Sequence, residues 1–355
     1  MTDLHTVRAT GPEDLLALVP TLLGFHPDRS VVVLTVGAAV RPVHARVDLP
    51  ARAEHGEEAD DLAEHLARVA ARSRVTAVAI VVYTADAAVA RTTVDALARR
   101  MADVGVEVAC VVRADGSRWW SMHPDGEEGG VPYDVSSHPL VVRSVVSGTV
   151  VLGSRQQLVD SLRGDDDAES REIAALAEGL CARLEAETGG RAPLEAPEQQ
   201  NVPAALAEQG EWLRDRVCCF LEDGRRLEAA EVARLSGLVT ASSLLRDVAW
   251  AEMTQSNASR QVDLWRDVVR RVPPRFRPAP AGLLGFAAWL TGNGALAWCA
   301  VECAAEAEAE TAVPGAGDAE PGHSLAGLLA QVLAAAVAPS AWRPPDPPQL
   351  GGARQ

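Results

Sequence analysis

Two kinds of hydrophobic pattern divide this chain into two parts. In residues 1–150, short apolar runs alternate with segments in which apolar residues recur at three- and four-residue spacing. The runs are typical of buried strands, and the recurring positions are typical of amphipathic helices. Strands that alternate with helices predict an α/β domain. We expect a mixed, mostly parallel sheet with helices on both faces.

One stretch near the start, residues 11–36, organises the first part. Leucines and valines at helical spacing predict a helix over 12–23, and Gly24 is a typical residue just past a helix end. A Gly-Phe-His-Pro corner follows. The apolar run 31–34 then predicts a central strand that is buried on both faces. A hairpin through Gly37 is expected to pair this strand with a second one.

The second part of the chain predicts helices alone. No β-rich run appears after residue 204, and helices are expected across 204–343. The segment 283–304 has the small-residue turn and the alanine–aromatic pattern of a tetratricopeptide hairpin. We therefore expect an all-α, tetratricopeptide-like helical domain. Residues 151–203 are predicted to be connecting helices and a linker, and 344–355 a disordered tail.

Composition and charge exclude several classes of function. The chain of 355 residues has a formal net charge of −16, which argues against nucleic acid as a partner. It contains no lysine, so a lysine Schiff base, a phosphate-binding lysine and a serine–lysine dyad are excluded. The N-terminus lacks the apolar core of a signal peptide, and no apolar run approaches the roughly 20 residues of a membrane span. We expect a cytoplasmic protein with reduced cysteines and no membrane partner.

Candidate binding residues lie near the expected carboxyl ends of the strands, where open α/β sheets bind their ligands. His26, in the rigid corner, could act as an acid, a base or a ligand, or it could lock the turn through backbone carbonyls. Arg46 and Asp48 share one strand face and could form an ion pair or a polar site. Trp119 and Trp120 alternate across a strand, so one of them could stack on a ligand. The candidate site comprises His26, Arg46, Asp48, Trp119, Trp120, Tyr133 and Asp134.

Several segments together resemble a known family. They are L-L-A-L-V-P-T-L-L-G-F-H-P-D-R-S-V-V-V at 15–33, R-V-D-L-P at 46–50, R-W-W-S at 118–121 and L-L-G-F-A-A-W-L-T-G-N-G-A-L-A at 283–297. On these residues the chain resembles the actinobacterial domain-of-unknown-function 4192 family, DUF4192, over most of its length. That family has no assigned activity, so the resemblance implies no function.

No metal or cofactor is expected. His123, Asp134 and His138 are residue types that bind metals. Some members of the resembled family carry a cysteine cluster between the Trp-Trp-Ser and Tyr-Asp segments, whereas this chain has Met-His-Pro-Asp-Gly at 122–126 and no cysteine there. A shared structural metal is therefore not predicted. Motifs of serine hydrolases, zinc proteases and EF-hands are missing from the sequence, and no catalytic residue is assigned.

These observations favour a non-catalytic protein that interacts with other proteins or regulates them. A protein partner or self-association is expected through the helical part, which contains the predicted hairpin and most of the tryptophans: Trp212, Trp250, Trp265, Trp289, Trp298 and Trp342. The alternative is an enzyme or a small-molecule sensor with a site at the carboxyl edge of the sheet. That site would be built from His26, Asp48 and the loop 119–133.

Overall fold

The computed structural model describes residues 9–37, 44–123, 129–146, 148, 150–164, 167–188, 204–311 and 324–345. The predicted linker segment 189–203 and residues 346–355 of the predicted tail lie outside the described residues. Contacts divide the chain into two compact units, residues 1–157 and 158–355. The first unit is mixed α/β and the second is rich in helices. The finer domain limits at 150, 203 and 343 remain predictions.

The first unit contains a mixed sheet with the strand order β2-β1-β3-β4-β5-β6 in the described residues. Its strands are β1 (Ser30–Val36), β2 (His44–Asp48), β3 (Ala77–Tyr83), β4 (Glu107–Ala114), β5 (Arg118–Ser121) and β6 (Val131–Pro132). Its helices are α1 (Pro12–Leu23), α2 (Gly56–Arg72), α3 (Ala87–Asp103) and α4 (Pro139–Val146). A short helix, α5 (Arg155–Asp160), includes the sequence boundary between the units.

The prediction of a mostly parallel sheet was wrong. Among the described strands, β3 and β4 form the only parallel pair, and the other four neighbouring pairs are antiparallel. The helical connections do make β2, β3 and β4 run in one direction, as the alternation of strands and helices implies. However, β1 lies between β2 and β3 and runs the opposite way. One inserted strand therefore converts a parallel arrangement into two antiparallel pairs.

One face of this sheet packs against α2 and α3. Alternate strand residues, including Val31, Ile80 and Val82, form one buried apolar cluster with the inner faces of both helices. Helix α3 begins at a strong N-cap, because the Asp86 carboxylate accepts hydrogen bonds from the backbone N–H groups of Ala88 and Val89. The opposite face also buries apolar side chains, including Val32 and Val81.

Within the described part of the second unit, all regular structure is helical. The helices are α6 (Ala168–Glu187), α7 (Ala204–Asp223), α8 (Ala229–Ala241), α9 (Ser243–Ala251), α10 (Ala258–Arg271), α11 (Pro278–Leu290), α12 (Gly294–Thr311) and α13 (Leu325–Ala334). Two short 3₁₀ helices span Pro274–Phe276 and Pro339–Ala341. The helix-rich second half is confirmed.

Helix α11 is the centre of the second unit. All of its residues from Pro280 to Leu290 are buried, so it has no solvent-facing side there. Helices α10, α12 and α13 pack around it. A helix that is apolar all round is typical of a domain core. The structure thus shows the predicted pairing of α11 with α12 but does not confirm a tetratricopeptide-like architecture.

Most of the tryptophans that suggested an interaction surface pack inside the second unit. Trp250, Phe286, Trp289 and Trp342 form a cluster in which ring centroids lie 5.0–6.2 Å apart. Two of the indole N–H groups donate to backbone carbonyls, Trp289 at 2.9 Å and Trp342 at 3.1 Å. Such aromatic contacts add to the free energy of burial. These three tryptophans and the buried Trp265 therefore report core packing, whereas Trp298 is 39% exposed.

A buried arginine joins two helices of the second unit to the segment before α8. The side chain of Arg271 is 8% exposed. Its Nη2 lies 2.6 Å from Glu169 Oε1, and its Nη1 lies 2.8 Å from Asp267 Oδ2. Nη1 also donates to the carbonyl of Leu227 at 2.8 Å. Breaking a buried charge network by removing one partner costs about 3 kcal/mol or more.

We expect Arg271→Ala to lower the free energy of unfolding by about 3 kcal/mol, because two carboxylates and a buried carbonyl lose their donor. Urea denaturation followed by tryptophan fluorescence would measure the change. Arg226→Ala is the matched control. Arg226 approaches the same carboxylates, Glu169 and Asp267, at 3.5 and 3.9 Å, but its side chain is 69% exposed. The control should cost less than about 1 kcal/mol, and equal losses in both variants would contradict the assignment.

Candidate functional site

The sheet register places a row of polar side chains at the carboxyl ends of β2, β3 and β4. Directly opposed residues across the strands define this polar row, which consists of Asp48, Ser30, Tyr83 and Trp119, with the apolar Ala114 between Tyr83 and Trp119. Opposed residues have Cβ atoms about 5 Å apart and point to the same sheet face. That face is opposite to the one that packs against α2 and α3. The polar row therefore lies where a ligand site was expected.

Four buried polar atoms without hydrogen-bond partners lie in or beside the polar row: Ser30 Oγ, Tyr83 OH, Trp119 Nε1 and Arg46 Nε. In the described part of the first unit, His55 Nδ1 and Thr93 Oγ1 are the others of this kind. Arg46 lies on the same face, two residues before Asp48 on β2. Ser30 is fully buried and Tyr83 is 7% exposed. Each unsatisfied buried polar group costs about 1–3 kcal/mol, so this concentration makes the sheet face energetically unfavourable as it stands.

Burial controls the ionisation of Tyr83. Removal of water raises the pKa of its hydroxyl far above the usual range, and the neighbouring Tyr133 raises this pKa further. The hydroxyl therefore stays protonated and remains available as a hydrogen-bond donor at neutral pH. Burial also raises the pKa of Tyr133, and nearby Asp115 adds to that shift.

Arg46 and Asp48 form an ion pair, which is one of the two arrangements expected from the sequence. Arg46 Nη2 lies 2.6 Å from Asp48 Oδ1. The two side chains differ in environment, since Arg46 is 13% exposed and Asp48 is 76% exposed. The Arg46 guanidinium carbon also lies 6.0 Å from the centre of the buried Phe25 ring. Asp48 therefore holds the outer end of the guanidinium, while Nε has no partner.

Backbone hydrogen bonds, rather than the histidine side chain, fix the corner at residues 24–27. Gly24 adopts a φ of +79°, which favours glycine, and ends α1. The Gly24 carbonyl accepts from the Leu152 N–H at 2.8 Å, and the His26 N–H donates to the Leu152 carbonyl at 2.9 Å. The His26 side chain is exposed. The structure therefore does not bring His26 into the group of buried polar atoms.

Trp120 lies on the opposite sheet face from Trp119, as period-two alternation predicts. The Arg113 guanidinium carbon lies 3.7 Å from the Trp120 ring centre, close enough for a cation–π contact. Arg113 is buried and its Nη1 donates to the Ala85 carbonyl at 3.1 Å. Gly130 lies directly against the same indole ring. Trp120 therefore ties the loop after β3 to the segment before β6 and takes no part in the polar row.

Tyr133 and Asp134, although adjacent in sequence, also lie in different surroundings. The Tyr133 N–H donates to the Ser117 carbonyl at 3.1 Å, and its half-buried side chain lies near Tyr83. Asp134 is exposed, and its Oδ1 accepts from the Ser136 N–H at 2.8 Å. Of the sequence-predicted residues, Arg46, Asp48 and Trp119 share the sheet face, with Tyr133 close by. His26, Trp120 and Asp134 lie elsewhere.

The possible metal ligands do not form a site among the described residues. His138 Nε2 lies 3.0 Å from Asp14 Oδ1, which joins the start of α4 to α1. Hydrogen bonds from Thr10 lower the pKa of the Asp14 carboxyl, so Asp14 pairs with His138 as a charged carboxylate. His123 is exposed. No group of three metal-binding side chains occurs in the described parts of the chain.

Sequence reasoning missed Ser30 and Tyr83, the two most buried polar members of the row. Ser30 begins the first apolar run and Tyr83 ends the clearest one, so each is a hydroxyl residue at the end of a buried strand. A hydroxyl residue at the end of an apolar run is therefore a signal by which sequence analysis could have found both residues. Their pairing depends on the antiparallel register of β1 with β3, which periodicity does not reveal.

Two clefts in the second unit are weaker candidates for a functional site than the polar row. The first has a volume of about 260 Å³ and is lined by Arg163, Arg277, Cys303 and Glu306 among others. Arg163 is already paired with Glu306 at 2.9 Å. Burial raises the pKa of Cys303 to about 11, so its thiol is not a ready nucleophile. The second cleft, of about 250 Å³, has a mostly apolar lining.

We expect Gly130→Ala to lower the free energy of unfolding by about 2 kcal/mol or more. The new Cβ would overlap the Trp120 ring, and the Gly130 φ of +63° also disfavours alanine. Gly129→Ala is the matched control, because a Cβ at Gly129 meets nothing within 4 Å. Thermal and urea denaturation would measure both variants. A neutral Gly130→Ala change would show that Trp120 is not fixed between Arg113 and this glycine.

Comparison with known proteins gives a family but no function. No curated protein and no solved structure matches the chain. None of the helices in the described residues has the length and apolar character needed to cross a membrane. The model of one family, described as a domain of unknown function (DUF4192), matches residues 12–340. That match includes both units apart from their outer ends, and the chain therefore belongs to the DUF4192 family.

Proposed function

We propose that the first unit binds a small molecule on the sheet face that carries the polar row. One observation carries this proposal: Ser30 Oγ, Tyr83 OH, Trp119 Nε1 and Arg46 Nε come from four strands, lie on one face, and have no hydrogen-bond partner. A bound molecule would supply the missing partners. The location also fits the general preference of ligands for the carboxyl edge of open sheets.

The energetic argument favours function over an accident of packing. Four unsatisfied buried groups together cost several kcal/mol, which is a large part of the stability of a typical domain. On the opposite face, where α2 and α3 pack, Thr93 Oγ1 on α3 is the buried atom of this kind, whereas the polar row and Arg46 bring four of them to one face. Local violations of packing rules tend to occur at functional sites. The polar row is the strongest such violation in the described part of the first unit.

Binding is favoured over catalysis. The polar row offers hydroxyl and N–H groups and one ion pair, and its described members include no histidine. The carboxylate of Asp48 is engaged by Arg46. General acid–base catalysis needs a group that exchanges protons near neutral pH, whereas burial keeps the Tyr83 hydroxyl protonated. A sensor or carrier therefore fits this chemistry better than an enzyme.

Native mass spectrometry of the protein isolated gently from its own host tests the proposal. We expect a small additional mass that is lost on denaturation and is missing from Tyr83→Phe. Thr93→Val is the matched control, since Thr93 Oγ1 is also buried without a partner but belongs to α3, away from the polar row. A bare wild-type chain, or an additional mass that Tyr83→Phe retains, would contradict the proposal.

Tyr83→Phe should raise the free energy of unfolding of the ligand-free protein by about 1 kcal/mol, because it removes an unsatisfied buried hydroxyl. Protein that has been unfolded, dialysed and refolded would be compared by urea denaturation. Thr93→Val should stabilise the protein similarly, for the same reason. A loss of stability in Tyr83→Phe alone would mean that the hydroxyl already has a partner in the ligand-free protein.

Self-association is the second candidate function, and one observation favours it. The valine stripe, defined as Val142, Val145, Val146 and Val150, contains the four most exposed large apolar side chains of the described residues, and Val146 reaches 84%. Three of these valines lie at helical spacing on α4, a helix with no buried residue. Two copies could pair through such a stripe about a twofold axis. The interaction that the sequence analysis expected through the helical half remains a prediction.

Sedimentation equilibrium of the full chain tests this second candidate. If the valine stripe mediates pairing, the wild type sediments as a dimer, and Val146→Asp shifts it to the monomer by placing a charge in the apolar contact. Val104→Asp is the control, since Val104 is 41% exposed and lies outside the stripe. A monomeric wild type at micromolar concentration would exclude self-association through this surface.

A further inference from the structure

Asp48 brings an exposed acceptor to this face, but each buried atom without a partner in the polar row and Arg46 can donate a hydrogen bond. Arg46 Nε and Trp119 Nε1 can only donate. The hydroxyls of Ser30 and Tyr83 can donate or accept, but each still needs an acceptor for its proton. The other members of this sheet face at the same level, such as Val81 and Ala114, have apolar side chains. A ligand that completes this face must therefore bring acceptor atoms.

Three of the four donors are immediate neighbours. Ser30 on β1 is directly opposite Tyr83 on β3, with Cβ atoms about 5 Å apart. Arg46 on β2 is opposite Val32, which makes it a diagonal neighbour of Ser30 at about 7 Å. This group of Arg46, Ser30 and Tyr83 is the donor triad. Trp119 lies two strands from Tyr83, with the small Ala114 between them.

The charge of the donor triad favours a single negative charge on the ligand. Arg46 contributes one guanidinium, whose Nη2 binds Asp48 and whose Nε is unpartnered. A guanidinium has five N–H donors, so a second anion can bind its remaining edge. Because Asp48 already offsets much of the positive charge, a doubly charged phosphate is disfavoured relative to a monoanion. A carboxylate has two oxygens with about four acceptor positions, enough for the whole triad.

We propose that the ligand is an organic carboxylate. This inference rests on the proposed function of the first unit, the binding of a small molecule. Its carboxylate binds the donor triad of Arg46, Ser30 and Tyr83, and its apolar body extends toward the partly exposed Trp119. The Trp119 N–H binds a second oxygen acceptor on that body. Charge-assisted hydrogen bonds of this kind are shorter and stronger than neutral ones. The hydroxyl of Tyr83 can serve as donor because a tyrosine hydroxyl is protonated at neutral pH.

Isothermal titration calorimetry with three matched probes tests this class of ligand on the full chain. Phenylacetate, phenylacetamide and benzylphosphonate share one aromatic body and differ in the charge of the head group. We expect phenylacetate to bind about tenfold or more tightly than phenylacetamide, since charged hydrogen bonds are worth about 1.5–3 kcal/mol. Benzylphosphonate should bind more weakly than phenylacetate.

Variants assign the preference to named residues. Arg46→Gln should reduce the ratio of the two Kd values to near one, and Tyr83→Phe should weaken phenylacetate binding. Asp48→Asn gives a change of opposite sign: it removes the competing carboxylate from an exposed position, so phenylacetate should bind several-fold more tightly while phenylacetamide is unaffected. Thr93→Val, which removes a buried hydroxyl outside the site, should leave all three Kd values unchanged.

The outcomes separate the ligand class from the existence of the site. If phenylacetamide binds as tightly as phenylacetate and both weaken in Tyr83→Phe, the site stands and the carboxylate assignment is overturned. Tighter binding of benzylphosphonate through the same residues overturns it in favour of a phosphoryl group. If no probe binds at millimolar concentration, or if Tyr83→Phe changes nothing, both the ligand class and the proposed binding function are contradicted.

Discussion

The antiparallel pairing of β1 with both of its neighbours is the constraint on which the first unit depends. Because β1 runs against β2 and β3, its first residue lies at their carboxyl ends. This direction brings Ser30 beside Tyr83 and Asp48. In a wholly parallel sheet the start of β1 would lie at the opposite edge, and the donor triad could not form. The same inserted strand therefore decides both the sheet type and the candidate site.

The two faces of the sheet both bury apolar side chains but differ in the polar atoms they carry. The face under α2 and α3 packs apolar side chains continuously, from Val31 through Ile80 to Val111. Burial of such side chains contributes about 1.5–3 kcal/mol each. The other face carries the unsatisfied atoms of Tyr83 and Trp119, which oppose folding. A protein can retain such groups only when other contacts offset their cost, and the apolar face provides those contacts.

Much of this organisation could be predicted from sequence, and the failures have physical causes. Periodicity identified the helices and strands, the carboxyl edge, and the opposite directions of Trp119 and Trp120. The predicted hairpin pairing of β1 with β2 is present, but periodicity did not identify the pairing of β1 with β3, because that pairing depends on long-range contacts that leave no local signal. Ser30 and Tyr83 were missed for this reason. Tryptophan content likewise did not distinguish core from surface, and Trp289 and Trp342 proved to pack together.

The backbone hydrogen bonds between the corner at residues 24–27 and Leu152 also have a consequence for the sequence of folding events in this unit. The corner precedes most of the unit along the chain, yet its two hydrogen bonds come from a residue near the end of the unit. Contacts of such high sequence separation form late, because the loop between them must close first. We therefore expect Phe25 and the neighbouring Arg46 guanidinium to reach their final contacts only after most of the unit is available. The strands can pair earlier, and the contacts of the corner with Leu152 form last.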